Sequence, residues 1–149
     1  MTNPVTNCNY LYDTQAAEFY IVLRAHIHNV TGDRWGKRTS QSVTIVEWGD
    51  KGMVGAACGV VYPGWFSLDL IWVEEGYRGQ GVGDILLDKV EKEAVRLGAH
   101  SVYVWTQDFE APDFYVKHGY TEFVELKEFL KGHQLIGLRK RLTPEAPQF

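Results

Sequence analysis

From Thr14 to Val30 the apolar residues Ala17, Phe19, Tyr20, Val22, Leu23, Ile27 and Val30 recur at helical intervals. Asp13 or Thr14 is placed to cap the start, and Thr31-Gly32-Asp33 ends the pattern. Residues 1–12 carry no period and are expected to be irregular, while Arg34 to Ser42 is a polar loop able to fold over a site. The pattern then changes to alternation. Ser42–Trp48 and Met53–Tyr62 read as strands around the reversal Gly49-Asp50-Lys51-Gly52, and small residues in the second (Gly55, Ala56, Ala57, Gly59) permit close packing. Pro63-Gly64 turns the chain into a third strand, Trp65–Glu74. Its run Leu68–Val73 is apolar apart from Asp69, as in a strand covered on both faces. Val82, Ile85, Leu86, Val90, Ala94 and Leu97 mark an amphipathic helix that stops at Gly98. Ser101–Thr106 is a strand and Pro112–Lys117 a short helix ended by Gly119; Tyr120–Leu126 and Gln134–Leu142 are two closing strands. Antiparallel strands, then a strand–helix–strand unit, then a hairpin predict a mixed α/β sheet flanked by helices.

Composition narrows the possibilities. A chain of 149 residues with no repeat, low-complexity segment or linker fits one domain, 1–149, that buries about two thirds of its unfolded surface. No apolar run approaches the ~20 residues that cross a bilayer, and Met1-Thr2-Asn3-Pro4 has no signal pattern, so the reading is cytoplasmic with no membrane partner. A net charge of −4 disfavours nucleic acid, and the basic run Arg139-Lys140-Arg141 reads as a solvated strand end. Cys8 and Cys58 make no disulfide framework, and neither has a second soft ligand at metal spacing. His26 and His28 diverge on a helix, and His100 and His118 stand apart, so no metal is expected.

The chemistry concentrates between Leu68 and Leu97, where a strand, a glycine-rich turn and a helix follow one another. The turn is Arg78-Gly79-Gln80-Gly81-Val82-Gly83. Alternating glycines let the backbone approach a ligand with its N–H groups turned inward. The helix start adds unpaired donors and the positive end of its dipole, and Arg78 adds a guanidinium suited to phosphate. This is a diphosphate cradle. A P-loop is excluded because Val82 stands where lysine must be, and a dinucleotide fingerprint because its third glycine would fall on Asp84 or Leu86.

The pattern that fits is [Q/R]-x-x-G-x-[G/A], met by Arg78, Gly81 and Gly83, with a second block, Ala111-Pro112-Asp113-Phe114-Tyr115-Val116-Lys117-His118-Gly119-Tyr120, of the form A-x-x-F-Y-x-K-x-G-[FY]. In these two segments the chain resembles the GNAT superfamily of acetyl-CoA-dependent N-acetyltransferases, and the likeness extends over about residues 43–142. The resemblance implies a mostly antiparallel sheet split into a V between central parallel strands. It also implies an enzyme that moves an acetyl group from acetyl-CoA to a primary amine by direct attack in a ternary complex. The alternative is a non-catalytic acyl-CoA sensor or interaction domain.

On that reading the V opens between Trp65–Glu74 and Ser101–Thr106. The backbone of Ile71, Trp72 and Val73 holds the pantetheine arm, and Arg78, Gly79, Gln80, Gly81, Val82 and Gly83 hold the pyrophosphate. Gln107, Phe109, Ala111 and Phe114 line the other wall. Tyr115 is the residue placed to return a proton to the leaving thiolate. Asp69, expected from alternation to share a face with Ile71 and Val73, is a candidate base beside a structural reading of the same carboxylate, with Glu74 and Glu75 as alternatives. His133, after Gly132, reads as a structural loop histidine. The acceptor, a small-molecule or peptide amine, is expected to meet the Thr14–Val30 helix, the Arg34–Ser42 loop and a pocket shaped by Asn29, Trp35 and Trp65. Glu74, Glu75, Asp108 and Glu110 lean toward a cationic amine. The exposed last strand leaves room for a homodimer.

Overall fold

The protein is described by a computed structural model over residues 12–31 and 40–149. It divides into two compact units, residues 1–38 and 39–149. In the first, the helical period produces α1 (Asp13–Thr31), tied off where the Thr31 hydroxyl donates to the Ile27 carbonyl at 2.7 Å.

The second unit carries the sheet. Its elements are β1 (Gln41–Gly49), β2 (Gly52–Val61), β3 (Gly64–Val73), α2 (Val82–Arg96), β4 (Ala99–Gln107), α3 (Pro112–Lys117), β5 (Thr121–Leu130) and β6 (His133–Arg141). The strands lie in the order β1-β2-β3-β4-β6-β5, antiparallel at every pair except β3–β4. That parallel pair is the strand–helix–strand unit, and its crossover helix α2 buries Leu86, Leu87, Val90 and Ala94 in one cluster with Phe66, Leu68, Val102 and Val104. This is the mixed, mostly antiparallel sheet that the order of elements predicts. β5 runs on to Leu130, past its expected end at Leu126, because pairing resumes at Leu130↔His133 after an irregular stretch in which Glu128 adopts φ +54°. The charges of Lys127 and Glu128 hide that continuation from a pattern reading. No helix among the described residues is long and apolar enough to cross a membrane.

β3 and β4 begin as neighbours and end apart. Their pairing runs from Gly64↔Ala99 to Leu68↔Val104, yet β3 continues to Val73 and β4 to Gln107. The parting begins at a β-bulge: Gly59 of β2 faces Leu68, but the adjacent Cys58 faces Leu70, so Asp69 is the extra residue. One extra residue shifts the alternation by one position. Phe66 and Leu68 face the core before the bulge, Ile71 and Val73 pack against it afterwards, and Leu70 and Trp72 are exposed. The expectation that Asp69 shares the face of Ile71 and Val73 is therefore corrected. Its carboxylate accepts the Ser67 hydroxyl at 2.7 Å, and Ser67 belongs to the face of Leu70 and Trp72. Gly59 permits the bulge, since a Cβ there would lie 2.0 Å from the Ser67 carbonyl oxygen.

Candidate active site

Past the bulge the parted strands open a cleft of about 790 Å³, walled by β3, the turn after it, the end of β4 and α3. Asp69, Ile71, Trp72, Val73, Arg78, Gly79, Gly81, Val82, Gly83, Ala111, Phe114 and Tyr115 line it, so most residues expected to form a site share one cavity.

The glycine turn shapes one end. Gly79 and Gly81 have φ of +72° and +81°, and Gly81 caps α2. Along this path, a turn at residues 78–81, the amides of residues 79–84 make no close, well-aligned hydrogen bond to the described residues; the Arg78 amide bonds to the Glu75 carbonyl at 3.2 Å. Amides without close partners at a helix start, on residues that line a cleft, fit a diphosphate. Gly83 differs from Gly81, because its φ is not left-handed and a Cβ would meet the Phe114 ring at an ordinary 3.4 Å. Gly83→Ala is expected to keep or raise stability, alanine being favoured by about 0.5–1 kcal/mol in a helix. Gly81→Ala is expected to lose about 1–2 kcal/mol to the left-handed conformation. Thermal melts of the two variants decide the matter, and equal losses would contradict this account of the turn.

Arg78 is not a free charge. Its Nε donates to the Val73 carbonyl at 3.0 Å, and its guanidinium lies over the Trp72 ring at 4.6 Å. The Val73 carbonyl, expected to serve a ligand, is thereby occupied. Gln80 donates its side-chain amide to the Gly76 carbonyl at 3.0 Å and does not line the cleft.

The opposite wall comes from the end of β4 and from α3, which Pro112 starts. Glu110 fixes this corner: its Oε2 accepts the Gln107 amide at 2.7 Å and the Thr106 hydroxyl at 3.0 Å. Residues beyond it part company. Ala111 and Phe114 face the cleft, whereas Phe109 packs edge-on against His133 at 4.7 Å and neither it nor Gln107 reaches the lining. The Gln107 Oε1 is buried with no partner among the described residues. His133 Nδ1 pairs with Asp108 Oδ1 at 3.1 Å, which removes Asp108 from the acidic residues available to an acceptor. Glu74 accepts the Trp72 indole N–H at 3.4 Å and, like Glu75, does not line the cleft.

Tyr115 is 5% exposed, with its ring edge-on to Phe114 and Tyr120. Its hydroxyl has no hydrogen-bond partner among the described residues. Burial, and then the nearby Glu110 carboxylate, push its phenol up to about 12. Tyr120 is pushed well above the tyrosine range by burial and by Glu91, to which its hydroxyl donates at 2.8 Å. As pH rises past the ordinary tyrosine range the unfolded chain gives up its phenolic protons first. The stability held below about pH 10 is then lost as pH rises through about 12. Tyr115 alone is expected to contribute a loss on the order of 2 kcal/mol, and Tyr120 adds to it in the same direction. Urea melts from pH 8 to 11.5 measure this, and Tyr115→Phe should flatten the slope.

Leu70, Trp72 and Trp105 form an exposed apolar rim on the cleft. Trp65, expected in an acceptor pocket, is instead covered by Phe149, stacked at 5.5 Å, at the closed end of β3. Asn29 belongs to α1 in the first unit, and Trp35 with residues 34–39 lies outside the described residues. Tyr77, Asp84, Trp105, Thr106 and Lys117 line the cleft without having been singled out from sequence. Lys117 and Asp84 had a signal available, since one sits in the second motif and the other adjoins the glycine run.

Among known proteins, the model of the Acetyltransferase (GNAT) family matches residues 8–120. The chain is 29% identical over 109 residues to acetyltransferase Atu2258 of Agrobacterium fabrum, covering 72% of this chain and 80% of that one. It is 35% identical over 86 residues to blasticidin-S acetyltransferase of Streptomyces morookaense, covering 56% and 63% respectively. The crystal structure of an acetyltransferase from Bacillus cereus superimposes with a TM-score of 0.75 at 28% identity, over 90% of this chain and 97% of that one. With a family match across most of its length and a fold shared with a solved acetyltransferase, the chain belongs to the acetyltransferase (GNAT) family.

Proposed function

We propose that this acetyltransferase moves an acetyl group from acetyl-CoA to the primary amine of a small cationic molecule, by direct attack with both reactants in the cleft. The observation that carries this reading is the run of amides at residues 79–84 without close hydrogen bonds, beside a cleft whose lining includes Tyr115. Acetyl-CoA supplies the activated acyl group, and the protein supplies position and protons. The amides of Gly79 to Gly83 take the diphosphate, and the parted edge of β3 at Ile71 and Trp72 offers backbone groups to the amide-bearing arm.

Tyr115 holds the proton needed by the departing sulfur. A phenol raised to about 12 stays neutral through the working pH range, which suits a donor and not a base. Being a weaker acid than an alkyl thiol, it passes the proton to the departing sulfur uphill, and the phenolate so formed is reprotonated from solvent. Asp69 is exposed at the bulge, where it can take a proton from the amine directly or through water. The apolar rim of Leu70, Trp72 and Trp105 beside Asp69 favours a cationic amine with an apolar or aromatic body.

Thiol release from acetyl-CoA, followed with a panel of small amines and peptides, tests the proposal. Turnover that depends on one class of small cationic amine supports it. Tight coenzyme binding without turnover on any amine would make the protein a sensor instead.

A further inference from the structure

We propose that His118 is the counter-ion of Asp84, and that this pair sets the affinity of the glycine turn for coenzyme A; the inference rests on the coenzyme site proposed above. Asp84 is the third residue of α2 and lines the cleft. Its Oδ2 lies 3.9 Å from the point that a Cβ on Gly81 would occupy, so the carboxylate stands beside the amides of the turn. A negative charge there suits the helix dipole but opposes a diphosphate approaching the same donors.

His118 answers that charge. Its Nε2 meets Asp84 Oδ1 at 2.9 Å, and its Nδ1 lies 2.7 Å from the Phe114 carbonyl oxygen. Both oxygens can only accept, so the two contacts are complete when the ring carries both protons. The ring is held from a third side by Phe114, at 4.5 Å between centroids, and it caps the end of α3, where the helix dipole favours positive charge. His118 thus ties α3 to an acid on α2 without lining the cleft itself. Of the cationic side chains that line the cleft, Arg78 is turned onto Trp72 and Lys117 neighbours His118 on α3. The sequence showed His118 only as a histidine without metal spacing; its role here is positional and electrostatic.

Calorimetric titration with coenzyme A of the full chain, as wild type, His118→Gln, Asp84→Asn and the double variant, tests the pair. His118→Gln should weaken binding roughly fivefold to tenfold, the scale of one partly screened charge contact. Asp84→Asn should bind as well as wild type or more tightly, and His118→Gln should have no further effect in that background. A plain packing role predicts the same loss from His118→Gln in both backgrounds, and that result would overturn the inference. Weaker binding by Asp84→Asn would overturn it as well, a test that stands even if His118→Gln fails to fold. Wild-type protein that binds no coenzyme A would remove the proposed coenzyme site itself. Wild-type binding with His118→Gln unchanged would remove only the role of this pair.

Discussion

Tyr115→Phe is expected to lower kcat about a hundredfold or more while leaving the affinity for coenzyme A unchanged. Loss of a positioned proton donor has effects on the scale of roughly 10²–10⁴-fold. The substitution removes one oxygen from a 5% exposed ring and keeps the contacts with Phe114 and Tyr120. Because the hydroxyl has no hydrogen-bond partner among the described residues, no buried acceptor is orphaned and the fold should not suffer. A structural tyrosine would behave in the opposite way, with activity kept and stability altered. Measuring kcat and coenzyme affinity beside the thermal midpoint separates the two. Retention of kcat within a factor of about two would take the donor role away from Tyr115.

Other features of the site differ in how far the chain announces them. The glycine turn was legible because its requirements are local: left-handed backbone at Gly79 and Gly81, and a helix start at Val82. The succession of strands along the chain was legible for the same reason, each run of alternation being bounded by its own turn. The bulge was not. Leu68 to Val73 reads as an ordinary apolar strand, and only its register against β2 shows that Asp69 is an extra residue. Since register belongs to two strands at once, reasoning along one of them placed Asp69 on the wrong face.

Long-range partners account for the remaining differences. Trp65 is removed from any acceptor pocket by Phe149, the last residue of the chain, whose ring also lies 4.2 Å from the Arg139 guanidinium. Arg78, chosen for its charge, reaches back to a carbonyl and an indole face at the end of β3, a local pairing that the motif does not show. Asp108, just past the end of β4, meets His133 at the start of β6 because β4 and β6 are neighbours. For Trp65, Asp108 and His133 the partner is set by topology, which no local pattern carries.

Gly59→Ala is expected to be the most destabilising of these substitutions, at about 3 kcal/mol or more. A Cβ at this position would lie 2.6 Å from the Phe66 ring and 2.0 Å from the Ser67 carbonyl oxygen, and no side-chain rotation relieves the second of these. Overpacking in a filled core typically costs about 1–3 kcal/mol, and here the obstacle is backbone. For a chain of this size the loss corresponds to a fall in thermal midpoint of roughly 10 °C. The consequence reaches the cleft, because Gly59 faces Leu68 where the bulge begins. If β3 retreats from β2 to relieve the clash, the phase that turns Ile71 and Val73 toward the core and leaves Asp69 in the cleft is disturbed. Coenzyme affinity should then fall even at temperatures where the variant remains folded. Gly76→Ala is the matched control, since a Cβ there meets nothing within 4 Å. A Gly59→Ala protein as stable as Gly76→Ala would mean that the close approach of β2 and β3 at the bulge is not what the geometry describes.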